Sequence, residues 1–262
     1  MRAAVFTQKP LVYLAFLQAG PFGGHMKIDV IPVYGRVLSH HISSSTVIAV
    51  DVLRSTSCII TAVGNGANCV VPAIDPGEAA MLAGRLGHAD VVLAGERDAV
   101  KLPDFDIGNS PSEYSANTVK DRSVIISTTN GTAAIHGMSA AKDVLIGGMI
   151  NRSAVAKRAV ELGNDIIIVC AGTYGQISAD DLLAAGSIAE AINRLSPSGI
   201  DASDITMVCC MLYADWKQGR ADLSVTKHCA RLISLGFEED IRYCFSEDIT
   251  DVVPVYENGV IR

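Results

Sequence analysis

An aspartate and an arginine three residues apart close an apolar run in Asp51-Val-Leu-Arg-Ser-Thr56. A carboxylate at a strand end can bind Mg²⁺, attack as a nucleophile or exchange protons. A guanidinium beside it can hold a phosphate through paired hydrogen bonds. Asp51 emerges directly from Thr46-Val-Ile-Ala-Val50, and desolvating a charge there is costly without a partner. The structural alternative is a helix cap by Ser55 or Thr56, with Arg54 paired to a neighbouring carboxylate.

Four further segments carry similar residue types. Gly95-Glu-Arg97 follows Val91-Val-Leu-Ala94, which sets Glu96 and Arg97 at a second strand end, as a site or as a rim ion pair. In Phe105-Asp-Ile-Gly-Asn-Ser-Pro111, Asn109 and Ser110 precede a helix start whose free N–H groups suit an anion, unless Ser110 and Glu113 satisfy them. Ser127-Thr-Thr-Asn-Gly-Thr132 follows Ser123-Val-Ile-Ile126. Its Thr128, Thr129, Asn130, Gly131 and Thr132 form either an oxyanion cradle or an Asn-Gly turn with threonine caps. The segment lacks the Gly-Lys-Ser/Thr of a Walker loop. In the last cluster, Cys170-Ala-Gly172 leads to Asp180-Asp181. No arginine follows Cys170 in its loop, which argues against a cysteine nucleophile. Asp180 is the freer of the two acids to bind a metal, and Asp181 reads as a cap partner of Ser178.

The elements that must position these residues alternate. Strands are expected near Ile28–Val33, Val47–Val52, Cys69–Ile74, Val91–Ala94, Val124–Ser127, Val144–Ile146, Ile166–Cys170 and Ile205–Cys209, with helices between most of them. Asp75-Pro-Gly-Glu78 and Ser110-Pro-Ser-Glu113 carry the cap, proline and acid of a helix start. Asn151 can cap 152–162, which Gly163 stops, and Ser178 opens a helix reaching about Leu195. This alternation predicts a three-layer α/β/α fold with a mostly parallel sheet. The strand-turn-helix units beginning at Val47 and Ile166 echo each other, weak evidence for two similar intertwined halves, since shared α/β grammar gives the same pattern.

Composition narrows the function. A net charge of −7 argues against nucleic acid or an anionic membrane as partner, so any phosphate site must be made positive locally. No run approaches the roughly 20 apolar residues of a membrane span. Seven cysteines, odd in number and without metal-ligand spacing, suit a reducing cytoplasm. The histidines, including His40-His41, His136 and His228, read as surface or core residues rather than ligands. Residues 1–25 look like an extension ahead of a domain at 26–262.

Taken together, the segments around Asp51, Gly95-Glu-Arg97, Phe105–Pro111, Thr128–Thr132, Cys170-Ala-Gly172 and Asp180-Asp181, with Asp240-Ile-Arg-Tyr-Cys244 and Val253-Pro-Val-Tyr256, resemble the 2-phosphosulfolactate phosphatase family. The resemblance implies a Mg²⁺-dependent phosphomonoesterase that converts 2-phosphosulfolactate to sulfolactate and phosphate, a step toward coenzyme M. If the strand ends carrying Asp51, Glu96, Thr129 and Asn130 converge on one cleft, Asp51, Arg54 and Glu96 are expected to be catalytic. Asp51 with Glu96 or Asp180 is expected to hold the metal. Arg54 and Arg97 are expected to take the substrate's acidic groups, with Ser55, Thr56, Asn109, Ser110 and the 128–132 turn around them. The Asp-x-Asp of haloacid dehalogenase phosphatases is absent, because Leu53 stands two after Asp51. A different phosphate-ester enzyme or an anionic-metabolite binding protein remain alternatives, and a homo-oligomer is compatible with the chain.

Overall fold

The computed structural model describes residues 26–37, 42–87, 90–197 and 199–262. The extension at 1–25 and His40-His41 lie outside them. The apolar runs become strands of two separate sheets. The first is wholly parallel, with strands β1 (Lys27–Ile31), β2 (Thr46–Val50), β7 (Asp143–Gly147), β8 (Ile166–Cys170) and β9 (Asp201–Ala202) in the order β7-β2-β8-β1-β9. The second has the order β10-β11-β3-β6-β4-β5. Its core of β3 (Cys69–Pro72), β6 (Ser123–Ser127) and β4 (Val91–Arg97) is parallel. The two-residue strands β5 (Val100–Lys101), β10 (Tyr256–Glu257) and β11 (Val260–Ile261) add antiparallel edges.

Helices cover both faces of each sheet, so the three-layer α/β/α arrangement is built twice with a shared middle layer. Helices α1 (Ser55–Gly64) and α4 (Gly131–Gly137) lie between the sheets, where Ile59 and Ile135 pack with Val47 and Ile146 of one sheet and Val124 and Ile126 of the other. Helix α2 (Pro76–Leu86) covers the outer face of the second sheet through Ala79 and Ala83, and the short α3 (Ala116–Val119) lies ahead of β6. Helices α5 (Arg152–Leu162), α6 (Ala179–Leu195) and α7 (Asp204–Lys217) cover the outer face of the first. Helices α8 (Lys227–Ser234) and α9 (Glu238–Cys244) follow. Among the described residues no helix is long and apolar enough to cross a membrane. The two echoing units, which begin at β2 and β8, are neighbours in one sheet.

The expected strand at Ile205–Cys209 is helix α7 instead. Its apolar run faces α6 so closely that a Cβ on Gly186 would lie 2.1 Å from the Cys209 carbonyl oxygen. Ser203 caps it by accepting a hydrogen bond from Thr206 N–H. Asp75 caps α2 as expected, with the Glu78 carboxylate accepting the Ile74 N–H in return. Gly163 ends α5 in the left-handed conformation. Asn151 does not cap that helix. Its amide accepts from Gly148 N–H and donates to the carbonyls of Ile146 and Val252, stitching β7 to the C-terminal tail. The cap, proline and acid expected at Ser110–Glu113 form a capping box, with Glu113 accepting the N–H groups of Gly108 and Ser110, but the turn they open, Pro111–Glu113, is 3₁₀ and only three residues long.

One buried ion network ties this outer layer together. Arg152 pairs with Glu190 at 2.5 Å and donates twice to the Ser187 carbonyl, and Glu247 joins it at 3.4 Å. Arg152→Ala takes one of two cations from the buried Glu190, leaving it the exposed Arg194, and is expected to cost about 2–3 kcal/mol, read by urea unfolding.

Candidate active site

Ligands bind open α/β sheets beyond the carboxyl ends of their strands, and here the two sheets present those ends to one another. β2 is buried along its whole length, and its last residue, Val50, registers with Gly147 and Cys170. Asp51 therefore leaves an interior strand of the first sheet, between β7 and β8. In the second, Gly95 registers with Ser127, which brings Glu96 beside the 128–132 turn. Between them lies a cavity of about 740 Å³. Asp51 and Arg54 line it from the first sheet; Glu96, Asn109, Thr129 and Asn130 line it from the second. The loop from Thr173 to Ser178, the start of α6 through Asp180, the start of α8 and the Val33–Arg36 segment supply the remaining walls.

The floor is acidic. Asp51 is buried, and burial raises its carboxyl well above the ordinary value of 3.8; the charges of Asp180 and Glu96 push the same way, against a Ser55 backbone hydrogen bond and the Arg54 charge. Glu96 is already held in place. It accepts the Thr129 N–H at 2.8 Å, the Thr129 hydroxyl at 3.1 Å and the Ala99 N–H at 2.7 Å. Asp180 accepts from the Ser178 hydroxyl and, at 3.0 Å, pairs with His228 Nδ1. Burial alone would favour neutral His228, but its hydrogen bond to Asp180 and the charges of Asp180 and Asp181 hold its pKa above 6.5.

Arg54 is fixed on every side. Nη1 donates to Asp240 at 2.6 Å, Nη2 donates to the Ala99 carbonyl at 3.2 Å, and the guanidinium lies 4.0 Å over the Phe237 ring. Ser110 donates its hydroxyl to the other Asp240 oxygen at 2.6 Å. Ala99 thus sits between Glu96 and Arg54, in a two-residue hairpin turn where Asp98 and Ala99 both have positive φ, 54° and 69°. These contacts use two of the five guanidinium N–H donors and leave the rest for a ligand. Arg54→Lys, which loses the planar fork, is expected to raise KM about tenfold and also to weaken the Asp240 contact.

The 2-phosphosulpholactate phosphatase family model matches residues 34–259. The chain belongs to this family. A protein described as a "Probable 2-phosphosulfolactate phosphatase" from Clostridium novyi is 41% identical over 231 residues, 88% of this chain and 97% of that one. Relatives with the same description from Clostridium acetobutylicum and Caldanaerobacter subterraneus are 38% and 36% identical, each over 90% of this chain and 98% or more of their own length.

The Mg²⁺ expected of this family member can be tested against its donor set. Asp51 carries a buried carboxylate crowded by two others, and the one guanidinium at the floor is paired with Asp240 instead. Such a surplus of oxygen ligands and negative charge suits a hard divalent cation. Among the described residues no three His, Cys, Asp or Glu side chains come together as a metal cage. An ion here would be held by one or two of these carboxylates rather than by a protein cage.

The other residues singled out in this phosphatase-family sequence do not line the cavity but support it. Arg97 turns away, donating to the Glu96 carbonyl and to Ser127 Oγ. Thr56 braces the Asp51 backbone, donating to its carbonyl at 3.0 Å. Thr128 and Thr132 bond to each other and hold the turn into α4. Gly131 lets α4 approach Asp51, and Ser55 is buried there with its hydroxyl unbonded. Asp181, read as a cap partner, has another task. Its two oxygens accept the N–H groups of Val52 and Gly172, joining the loops that leave β2 and β8. Cys170 is fully buried and its thiol is pushed well up by burial, in keeping with no nucleophilic role. Sequence reasoning missed His228, Lys227 and Arg231, all of α8 and all lining the cavity. The signal was there in the four-residue spacing of Lys227 and Arg231, which puts both on one helix face.

Proposed function

We infer that this chain hydrolyses 2-phosphosulfolactate to sulfolactate and phosphate with the help of Mg²⁺. What carries the reading is the meeting of Asp51, Arg54, Glu96, Thr129, Asn130 and Asp180, from four separate segments, at one cavity. Phosphoryl transfer asks mainly for positioning and charge neutralisation, and the site is built for both. Asp51 with Glu96 or Asp180 would hold the ion, which when bound would neutralise phosphoryl oxygens. Arg54 receives an acidic group of the substrate with its orientation already set by Asp240, Ala99 and Phe237. The 129–130 turn, anchored by Glu96, offers polar groups to the phosphoryl end. Asp51 has the fewest hydrogen bonds of the floor carboxylates, so it is the group left to accept a proton from an attacking water or to attack itself. Rapid quench followed by borohydride reduction separates these, since only direct attack forms an acyl phosphate on Asp51 that borohydride reduces to homoserine.

The test is phosphate release from 2-phosphosulfolactate, with Mg²⁺ and after chelation. Release that needs the metal supports the reading. Turnover of other phosphorylated hydroxy acids but not this one would make the chain another phosphate-ester enzyme. Tight binding without turnover would make it a binding protein. The seven cysteines are all unpaired, which supports a cytoplasmic setting. The net charge of −7 speaks for a small anion captured locally rather than a nucleic acid.

A further inference from the structure

Three cations line the cavity without a counterion. Arg36, Lys227 and Arg231 are exposed, and among the described residues none of their charged groups enters an ion pair or a hydrogen bond. Of the carboxylates on the same cavity, Asp98 accepts from the Tyr174 hydroxyl, Asp180 bonds to His228 and Ser178, and Glu96 accepts from Thr129 and Ala99, and none of them pairs with these three groups. Lys227 and Arg231 also sit badly as helix residues. They are like charges one turn apart, which repel. Lys227 is moreover the first residue of α8, where the helix dipole disfavours a cation. In a chain of net charge −7, an anion in the cavity relieves both penalties. Asn109, 6% exposed at the same cavity, leaves a buried amide oxygen without a hydrogen-bond partner; as an acceptor it calls for a donor or a cation and so bears on the acidic floor rather than on this anion.

We propose that Lys227 and Arg231 form a second anion subsite that receives the sulfonate of the substrate and so sets specificity for sulfonated over plain phosphorylated hydroxy acids. This rests on the functional reading above, which puts the phosphoryl group at the Asp51 floor. Arg54, rigid and planar, suits a carboxylate or a phosphoryl edge. A sulfonate spreads its charge over three tetrahedral oxygens and is matched by two separate, flexible cationic heads. Being ionised at all working pH values, it keeps that attraction wherever the enzyme is active.

The experiment compares kcat/KM for 2-phosphosulfolactate and for 2-phospholactate, which has hydrogen in place of the sulfonate. Wild type, Lys227→Gln/Arg231→Gln and the charge-keeping Lys227→Arg/Arg231→Lys are measured side by side. Calorimetric titration with sulfolactate and with lactate is run on the same proteins. The glutamine pair is expected to lower the ratio of the two kcat/KM values about tenfold, chiefly through KM, and to weaken sulfolactate binding by a similar factor. The charge-keeping pair should hold most of the ratio. Equal losses on both substrates, or an unchanged ratio with sulfolactate binding intact, would overturn the subsite while leaving the phosphatase reading in place. Absence of turnover in wild type, with sulfolactate binding that the glutamine pair weakens, would overturn the phosphatase reading and keep the subsite. Sulfolactate binding no tighter than lactate binding in wild type would end the proposal outright.

Discussion

Asp51→Asn is expected to cut phosphate release about a thousandfold or more while leaving the protein at least as stable as wild type. The two halves of this expectation have one cause. Burial and the charges of Asp180 and Glu96 hold the Asp51 carboxyl well above 3.8, so its ionised form is disfavoured in the folded protein relative to the unfolded chain. Asparagine keeps the shape and removes the charge. Near neutral pH, without divalent cations, the melting temperature should therefore hold or rise. The sign follows from linkage. A raised carboxyl makes the folded state bind protons more tightly, so wild-type stability falls as pH rises from 3.8 through the folded-state value. The advantage of the variant should shrink as pH is lowered back through that window. Thermal unfolding with chelator at several pH values, beside phosphate release with Mg²⁺, reads both. Near-normal turnover in Asp51→Asn would remove this side chain from the chemistry. A large loss of stability would show that its charge is structurally required instead.

How legible this arrangement was depended on how local its physics is. The strands at Thr46–Val50 and Ile166–Cys170 are continuous runs of apolar, mostly β-branched residues, and buried parallel strands read that way. The cap at Asp75 and the stop at Gly163 are likewise decided within a few residues. The segment Ile205–Cys209 carries the same apolar density but lies in a helix wedged against Gly186. A short apolar run does not reveal its own period, and the deciding partner is some twenty residues away. The division into two sheets was hidden for a related reason. Val47 and Val124 have the same neighbours in sequence terms, and only the shared helices α1 and α4 set them on opposite sides of one core. In the site, the strand-end residues were visible because a charge after an apolar run needs a partner. Their partners were not. Asp240 lies 186 positions from Arg54, and His228 lies 48 from Asp180. Nothing in the sequence near Asp181 showed that its carboxylate ties Val52 to Gly172.

That tie and the 128–132 turn make the site a matter of backbone closeness, and Gly131→Ala tests this most directly. Gly131 opens α4 at the point where it meets the start of α1. A Cβ there would lie 2.5 Å from Asp51 Oδ2 and from Ser55 Oγ, and 2.6 Å from Ser55 Cβ. The carboxylate could rotate away, but the Ser55 Cβ is fixed to a helix packed between both sheets. One helix start must shift, and Asp51 and Asn130 move apart with it. Displacements of this size at a reacting centre cost about a hundredfold in rate, and the crowding is expected to cost about 1–3 kcal/mol of stability. Gly137→Ala, at the other end of the same helix, is the control. Its nearest neighbour would be a Tyr34 ring carbon at 3.7 Å, an ordinary contact. Alanine there should leave kcat/KM unchanged and hold stability or raise it by up to about 1 kcal/mol. If both alanines leave kcat/KM at the wild-type value, the close approach of α4 to Asp51 is incidental packing, and the turn's part in holding the phosphoryl end falls with it.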